Sequence, residues 1–157
     1  MILYFVRHGR AENREEWFRA DELRPLTKEG IDRMKFAAAK MSGLELEPQA
    51  ILTSPLVRAR QTADLLADVL RVQVVELAAL GPGFGLAHLE EALEPFADAE
   101  SLVLVGHEPD FSFTVEGLIG GGRVTVKKGS LIRVDLFSLK PPRGELVWII
   151  PPKMLVL

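Results

Sequence analysis

The chain has 157 residues, 48% of them hydrophobic and 26% charged, which suits one folded domain (1–157) and excludes a disordered tail protein. Nineteen Lys and Arg against 22 Asp and Glu leave a formal charge of −3, so no global basic field exists to bind nucleic acid. Cysteine is absent, which removes disulfide frameworks, thiolate zinc sites and cysteine nucleophiles together.

Ile2 to Val6 is a short apolar run of strand formers. No basic residue precedes it and no small-residue cleavage site follows, so it is not read as a signal peptide. No apolar run is long enough to span a bilayer, and a cytoplasmic setting is expected. Arg10 to Pro25 is charged and irregular and is expected to be a loop with at most a helical turn. Thr27 is a good N-cap for a helix to about Ser42, with Ile31, Met34, Ala37, Ala38 and Met41 inward and Gly43 closing it.

Ala50 to Thr53 reads as a second strand, and Ser54-Pro55 starts a helix to about Leu70. Val72 to Val75 is a third strand, followed by a short loop from Leu77 to Gly85. Leu86 to Phe96 reads as a helix, Ser101 to Val105 as a fourth strand, and Pro109 to Ile119 as another helix. Gly120-Gly121-Gly122 ends that helix; it lacks the Gly-Lys-Ser/Thr ending of a P-loop. Val124 to Val126, Ser130 to Leu136 and Glu145 to Ile150 look like strands, with turns at Lys128-Gly129 and Pro142-Arg143-Gly144. The expected fold is α/β: a three-layer α/β/α domain with a mainly parallel central sheet and antiparallel C-terminal strands.

In such a sheet ligands bind at the carboxyl ends of the strands. Arg7-His8-Gly9 follows the first strand, Ser54-Pro55-Leu56-Val57-Arg58-Ala59-Arg60-Gln61-Thr62 the second, Glu76 the third, and Gly106-His107-Glu108-Pro109 the fourth. Together these residues suit phosphoryl transfer, which needs an in-line nucleophile and fixed positive charge around the equatorial oxygens. His8 offers a neutral nitrogen nucleophile, Arg7 and Arg58 offer planar donor forks, and His107 adds a third cation when protonated. Those cations should lower the pKa of His8, and on this reading neither a metal nor a cofactor is required. His88 lies on a predicted helix without a partner and is expected to serve surface or packing, while Arg10 and Arg60 are expected at the surface, steering anionic partners.

These motifs resemble the histidine phosphatase (phosphoglycerate mutase-like) superfamily: the Arg-His-Gly of strand one, the Ser-Pro-x-x-Arg-Ala-x-Gln-Thr helix start and the late Gly-His-x-Pro. Leu26-Thr27-Lys28-Glu29-Gly30 resembles that family's Leu-Thr-x-x-Gly. The resemblance implies a phosphoglycerate mutase-like fold, His8 as the phosphorylated nucleophile, and Arg7, Arg58 and His107 around the phosphate. Gly9 and Asn13 are the further candidate phosphate contacts, although the spacing of Asn13 from His8 departs by one from that of larger members. Glu76 is the candidate general acid, since the family's acidic residue tends to follow the third strand.

Larger members carry long insertions there, and the segment from Leu77 to Gly85 is too short to form such a lid. The chain is therefore most similar to the short SixA-type phosphohistidine phosphatases. An imidazole leaving group, with a conjugate-acid pKa of about 6.5, needs little acid catalysis, whereas an alkoxide needs much. The expected partner is a phosphorylated protein, such as a histidine phosphotransfer domain. A small phosphorylated metabolite and a non-catalytic phosphate-binding module stay open as alternatives; a monomer is expected.

Overall fold

A computed structural model describes residues 1–155 of the chain. Six strands form one sheet in the order β3-β2-β4-β1-β5-β6. They are β1 (Ile2–Arg7), β2 (Ile51–Thr53), β3 (Val74–Glu76), β4 (Ser101–Gly106), β5 (Leu131–Leu139) and β6 (Pro142–Ile150). The first four run parallel to one another, while β5 is antiparallel to β1 and β6 is antiparallel to β5. This is the mainly parallel sheet with antiparallel C-terminal strands expected from the alternation of strands and helices.

The period-two pattern of the strands divides the core into two layers. Leu3 and Phe5 of β1 and Leu102 and Leu104 of β4 face one side, covered by α3 (Leu86–Leu93) and α4 (Asp110–Leu118). Tyr4, Val6, Val103 and Val105 face the other, covered by α1 (Lys28–Met41) and α2 (Val57–Leu70). Both faces are apolar because both are buried, as parallel sheets require.

The helix limits follow local chemistry. Thr27 caps α1, its hydroxyl accepting from the Gly30 N–H at 2.9 Å. Gly43 does not close that helix: a tight turn from Ser42 to Leu44 carries the chain on, and Glu45 takes the left-handed conformation. Helix α2 starts at Val57, later than expected at Ser54, because the backbone is still extended at Leu56, with ψ 139°. His88 accepts the Gly85 N–H at the start of α3, a capping role on the surface side.

Two expectations for the C-terminal third need correction. Val124 to Val126 is not a strand but irregular chain whose Val126 carbonyl serves Arg7. The last hairpin turns at Lys140-Pro141, not at Pro142-Arg143-Gly144, because β5 and β6 pair as far as Leu139 and Pro142. Beyond β6, Pro152–Leu155 forms one helical turn that buries Leu155. Among the described residues no helix is long and apolar enough to cross a membrane.

Candidate active site

Strand register brings the two histidines together. Arg7 of β1 pairs with Gly106 of β4, so the residues that follow, His8 and His107, leave the sheet side by side. The His8 N–H donates to the Gly106 carbonyl at 3.1 Å, and the imidazole centroids lie 5.2 Å apart. Glycines make this possible. A Cβ on Gly106 would stand 2.6 Å from the Phe111 ring, and one on Gly9 would stand 2.5 Å from Met34 Cγ. Each histidine is thus fixed by a close approach that only glycine allows.

His8 and His107 are 6% and 5% exposed, and Arg58 is 4% exposed. His8 Nδ1 lies 2.7 Å from the Gly9 carbonyl, which can only accept, so Nδ1 carries the proton and Nε2 keeps its lone pair. Burial pushes the His8 pKa down to about 3; the Gly9 carbonyl opposes this, and His107, Arg58 and Arg7 add to it. The expected cationic neighbours do lower it, but desolvation leads. Burial likewise takes His107 down to about 4, with Arg58 the next cause, so His107 is neutral in the free cleft and adds a third cation only when protonated.

Neutral His107 is still a donor. The Ser54 hydroxyl accepts from the Leu56 N–H at 3.2 Å and lies 2.7 Å from His107 Nε2. The hydroxyl can donate to Nε2, which leaves the ring proton on Nδ1, or accept from it through its second lone pair. That Nδ1 is buried without a protein partner, as are Nε of Arg7 and Nε of Arg58. Ser130 Oγ is a fourth such atom, and what marks an anion site is that Arg7, Arg58 and His107 all line one cleft beside His8. Elsewhere these side chains are anchored: Arg7 Nη1 donates to the Val126 carbonyl at 2.8 Å, and Arg58 donates to Asp21.

The cleft has a volume of about 730 Å³, with Arg10, Asn13, Asp21, Arg24, Glu108 and Lys128 also in its walls. Asp21, Arg24 and Lys128 were not predictable as site residues. Asp21 and Arg24 sit in the irregular charged loop, and Lys128 is delivered only because β5 runs antiparallel to β1. There the Gly129 N–H donates to the Arg7 carbonyl at 3.0 Å. Arg10 is exposed, as expected, yet it lines this cleft and pairs with Glu29.

Two other candidates, Glu76 and Gly9, are placed differently from expectation. Glu76 is not at the cleft; it pairs with Arg60 at 3.1 Å, and Arg60 also holds Asp64. The reason is strand order: β3 lies three strands from β1, roughly 14 Å at the usual strand spacing. The Gly9 N–H is committed to the Thr62 hydroxyl at 3.1 Å and is not a free donor. Asn13 does line the cleft, but its carboxamide oxygen accepts the Glu15 N–H and caps a short turn. Among the described residues no group of three or more His, Asp or Glu side chains is arranged to hold a metal ion.

Comparison with known proteins agrees with this geometry. Residues 3–82 match the histidine phosphatase superfamily, branch 1. An uncharacterized protein of Picosynechococcus sp. strain PCC 7002 is 38% identical over 172 aligned positions, covering 96% of this chain and all of that one. The phosphohistidine phosphatase SixA of Escherichia coli K12 is 28% identical over 127 positions, 77% of this chain and 76% of that protein. The structure of the protein histidine phosphatase SixA with tungstate superposes with a TM-score of 0.87 at 25% identity, covering 99% of both chains.

Proposed function

Because the chain belongs to the histidine phosphatase superfamily, and so is a phosphatase with a SixA-like fold, we propose that it hydrolyses phosphohistidine on a protein through a phosphoryl intermediate on His8. The observation that carries this reading is the gathering of Arg7, Arg58 and His107 on one cleft with a histidine whose Nε2 is unprotonated. A phosphoryl group bound there would gain charge-assisted hydrogen bonds from the arginines.

In the first step His8 Nε2 attacks phosphorus, a new N–P bond forms, and the bond to the substrate nitrogen breaks. The leaving imidazole takes up a proton. Water then attacks the phosphorus on His8, releasing inorganic phosphate and restoring the neutral ring. The arginines supply the positive charge that stabilises the equatorial oxygens in both steps, so metal independence is part of the proposal. Glu108 replaces Glu76 as the acid: it lines the cleft, follows His107, and lies near enough to Arg7 to oppose the burial that lowers that guanidinium's pKa.

A protein substrate is favoured by the rim. Phe18 is 95% exposed, and Leu23 is exposed as well, on the same loop that contributes Asp21 and Arg24 to the cleft. An exposed aromatic on a loop that lines the cleft suits protein contact. A cytoplasmic partner such as a histidine phosphotransfer domain belongs to this reading.

The test is to incubate the protein with a phosphohistidine protein and with a panel of small phosphate esters, in chelator. Phosphate release from the protein, an acid-labile phosphoryl group trapped on His8, and loss of about 10³-fold or more in His8→Ala are expected. Turnover unchanged in His8→Ala, or a strong preference for one small ester, would overturn the reading.

A further inference from the structure

Lys128 is the one cleft cation that the mechanism above leaves unused and, among the described residues, no side chain answers. Its backbone is fixed relative to the nucleophile. In the Lys127–Ser130 turn the Ser130 N–H donates to the Lys127 carbonyl, and the Gly129 N–H reaches the carbonyls of both Arg7 and His8, at 3.0 and 3.3 Å. Gly129 adopts a φ of 79°, which lets the turn close against β1.

The charges around Lys128 are unbalanced. Arg24 is answered by Asp21 at 2.9 Å, and so is Arg58. Arg10 is answered by Glu29 at 3.3 Å, in a pair exposed on both sides and therefore weak. Among the described residues Lys128 makes no ion pair, and it shares the cleft wall with Arg7, Arg10 and Arg24. Burial first, then Arg7, Arg24 and Arg10, lower its pKa, and no carboxylate offsets them although Glu12, Glu16 and Glu108 line the same cleft. The phosphoryl group accounts for Arg7, Arg58 and His107. It leaves Lys128 over.

We propose that Lys128, with Arg10 beside it, forms a second anion subsite that takes a carboxylate carried by the same substrate as the phosphoryl group. This rests on the reading of the cleft as a phosphoryl site. A Lys ammonium on a flexible stem accepts a carboxylate from a range of directions, which suits a group whose position varies between substrates. On a phosphoprotein that group is an Asp or Glu close to the phosphohistidine; on a small substrate it is a free carboxylate.

The experiment measures competitive inhibition by methylphosphonate, phosphonoacetate, 3-phosphonopropionate and 4-phosphonobutyrate, each beside the alkylphosphonate of equal chain length. One carboxylated member should bind about tenfold tighter than its alkyl counterpart, the size of one charge-assisted contact. That advantage should vanish in Lys128→Gln and return in Lys128→Arg. No advantage at any length, or one that survives Lys128→Gln, overturns the subsite. Failure of every phosphonate to bind would instead sink the phosphoryl cleft itself. A parallel arm compares phosphohistidine peptides bearing Glu or Gln next to the phosphorylated residue. A Lys128-dependent Glu preference assigns the carboxylate to a protein; a gain confined to the phosphonates assigns it to a small substrate.

Discussion

Asp21 holds both terminal nitrogens of Arg58: its carbonyl accepts from Nη1 and its carboxylate from Nη2, each at 2.9 Å. Nε–H and the second hydrogen of each terminal nitrogen are left over, so Asp21 fixes how the guanidinium faces an incoming phosphoryl group. Asp21 is a positioning residue. Replacing it by Ala should lower kcat/KM about tenfold, while Arg58→Ala should cost about 10²-fold or more as a lost transition-state donor. Steady-state kinetics on one aryl phosphate would check the order, and a larger loss in Asp21→Ala than in Arg58→Ala would contradict it.

The buried neutral histidines make acid stability a direct readout of the site. Their pKa values, about 3 for His8 and about 4 for His107, lie below the ordinary 6.5. Between those values and 6.5 the unfolded chain binds protons that the folded chain does not, so stability falls as pH falls from about 6.5 toward 4. Above 6.5 the two histidines contribute no slope. Urea midpoints at pH 7.0, 5.5 and 4.5 should decline in the natural sequence and decline less in a His8→Asn/His107→Asn double variant. Equal declines would mean that the acid sensitivity has another source.

Moving the acid from Glu76 to Glu108 has its own kinetic signature. Glu76→Gln breaks only an exposed pair with Arg60 and should change turnover by no more than about twofold. Glu108→Gln should slow alkyl phosphate ester hydrolysis by about 10²-fold, the lower end for general acid catalysis. It should affect phosphohistidine far less, because imidazole is the better leaving group. Parallel assays on the two substrate types give the comparison; a uniform loss on both would remove Glu108 from the acid role.

Phe18 should report on substrate size. Its ring is almost fully exposed, so Phe18→Ser has little to disturb in the fold. Truncating a docking aromatic commonly weakens binding by about 1 kcal/mol or more, roughly fivefold in affinity. A fall of that order in kcat/KM is expected for a phosphohistidine protein, with an aryl phosphate unaffected. Loss on neither substrate would leave the exposed loop without a role in recognition.

Much of the site is legible in the amino-acid sequence because its key residues stand at strand ends. Each of Arg7-His8, Ser54 and Gly106-His107 directly follows or ends a short apolar run, and parallel strands deliver such positions to one sheet edge. Glu76 obeys the same local rule and still misses the cleft, because local pattern marks where a strand ends and not which strand lies beside which. Asp21 and Lys128 show the converse. Neither has a periodic neighbourhood, and each reaches the site through a loop or turn tied to distant residues, Arg58 in one case and the Arg7 carbonyl in the other.

From the amino-acid sequence alone follow the α/β class, the two apolar faces of the central strands and the Arg-His-Gly and Gly-His nucleus of the site, since burial period and strand termini are local properties. Tertiary structure alone decided the strand order that excludes Glu76, the pairing of β5 with β1 that brings in Lys128, and the burial that leads the shifts of both histidines. Those depend on which distant groups share a low-dielectric space, and desolvation arises only once the chain has closed around them.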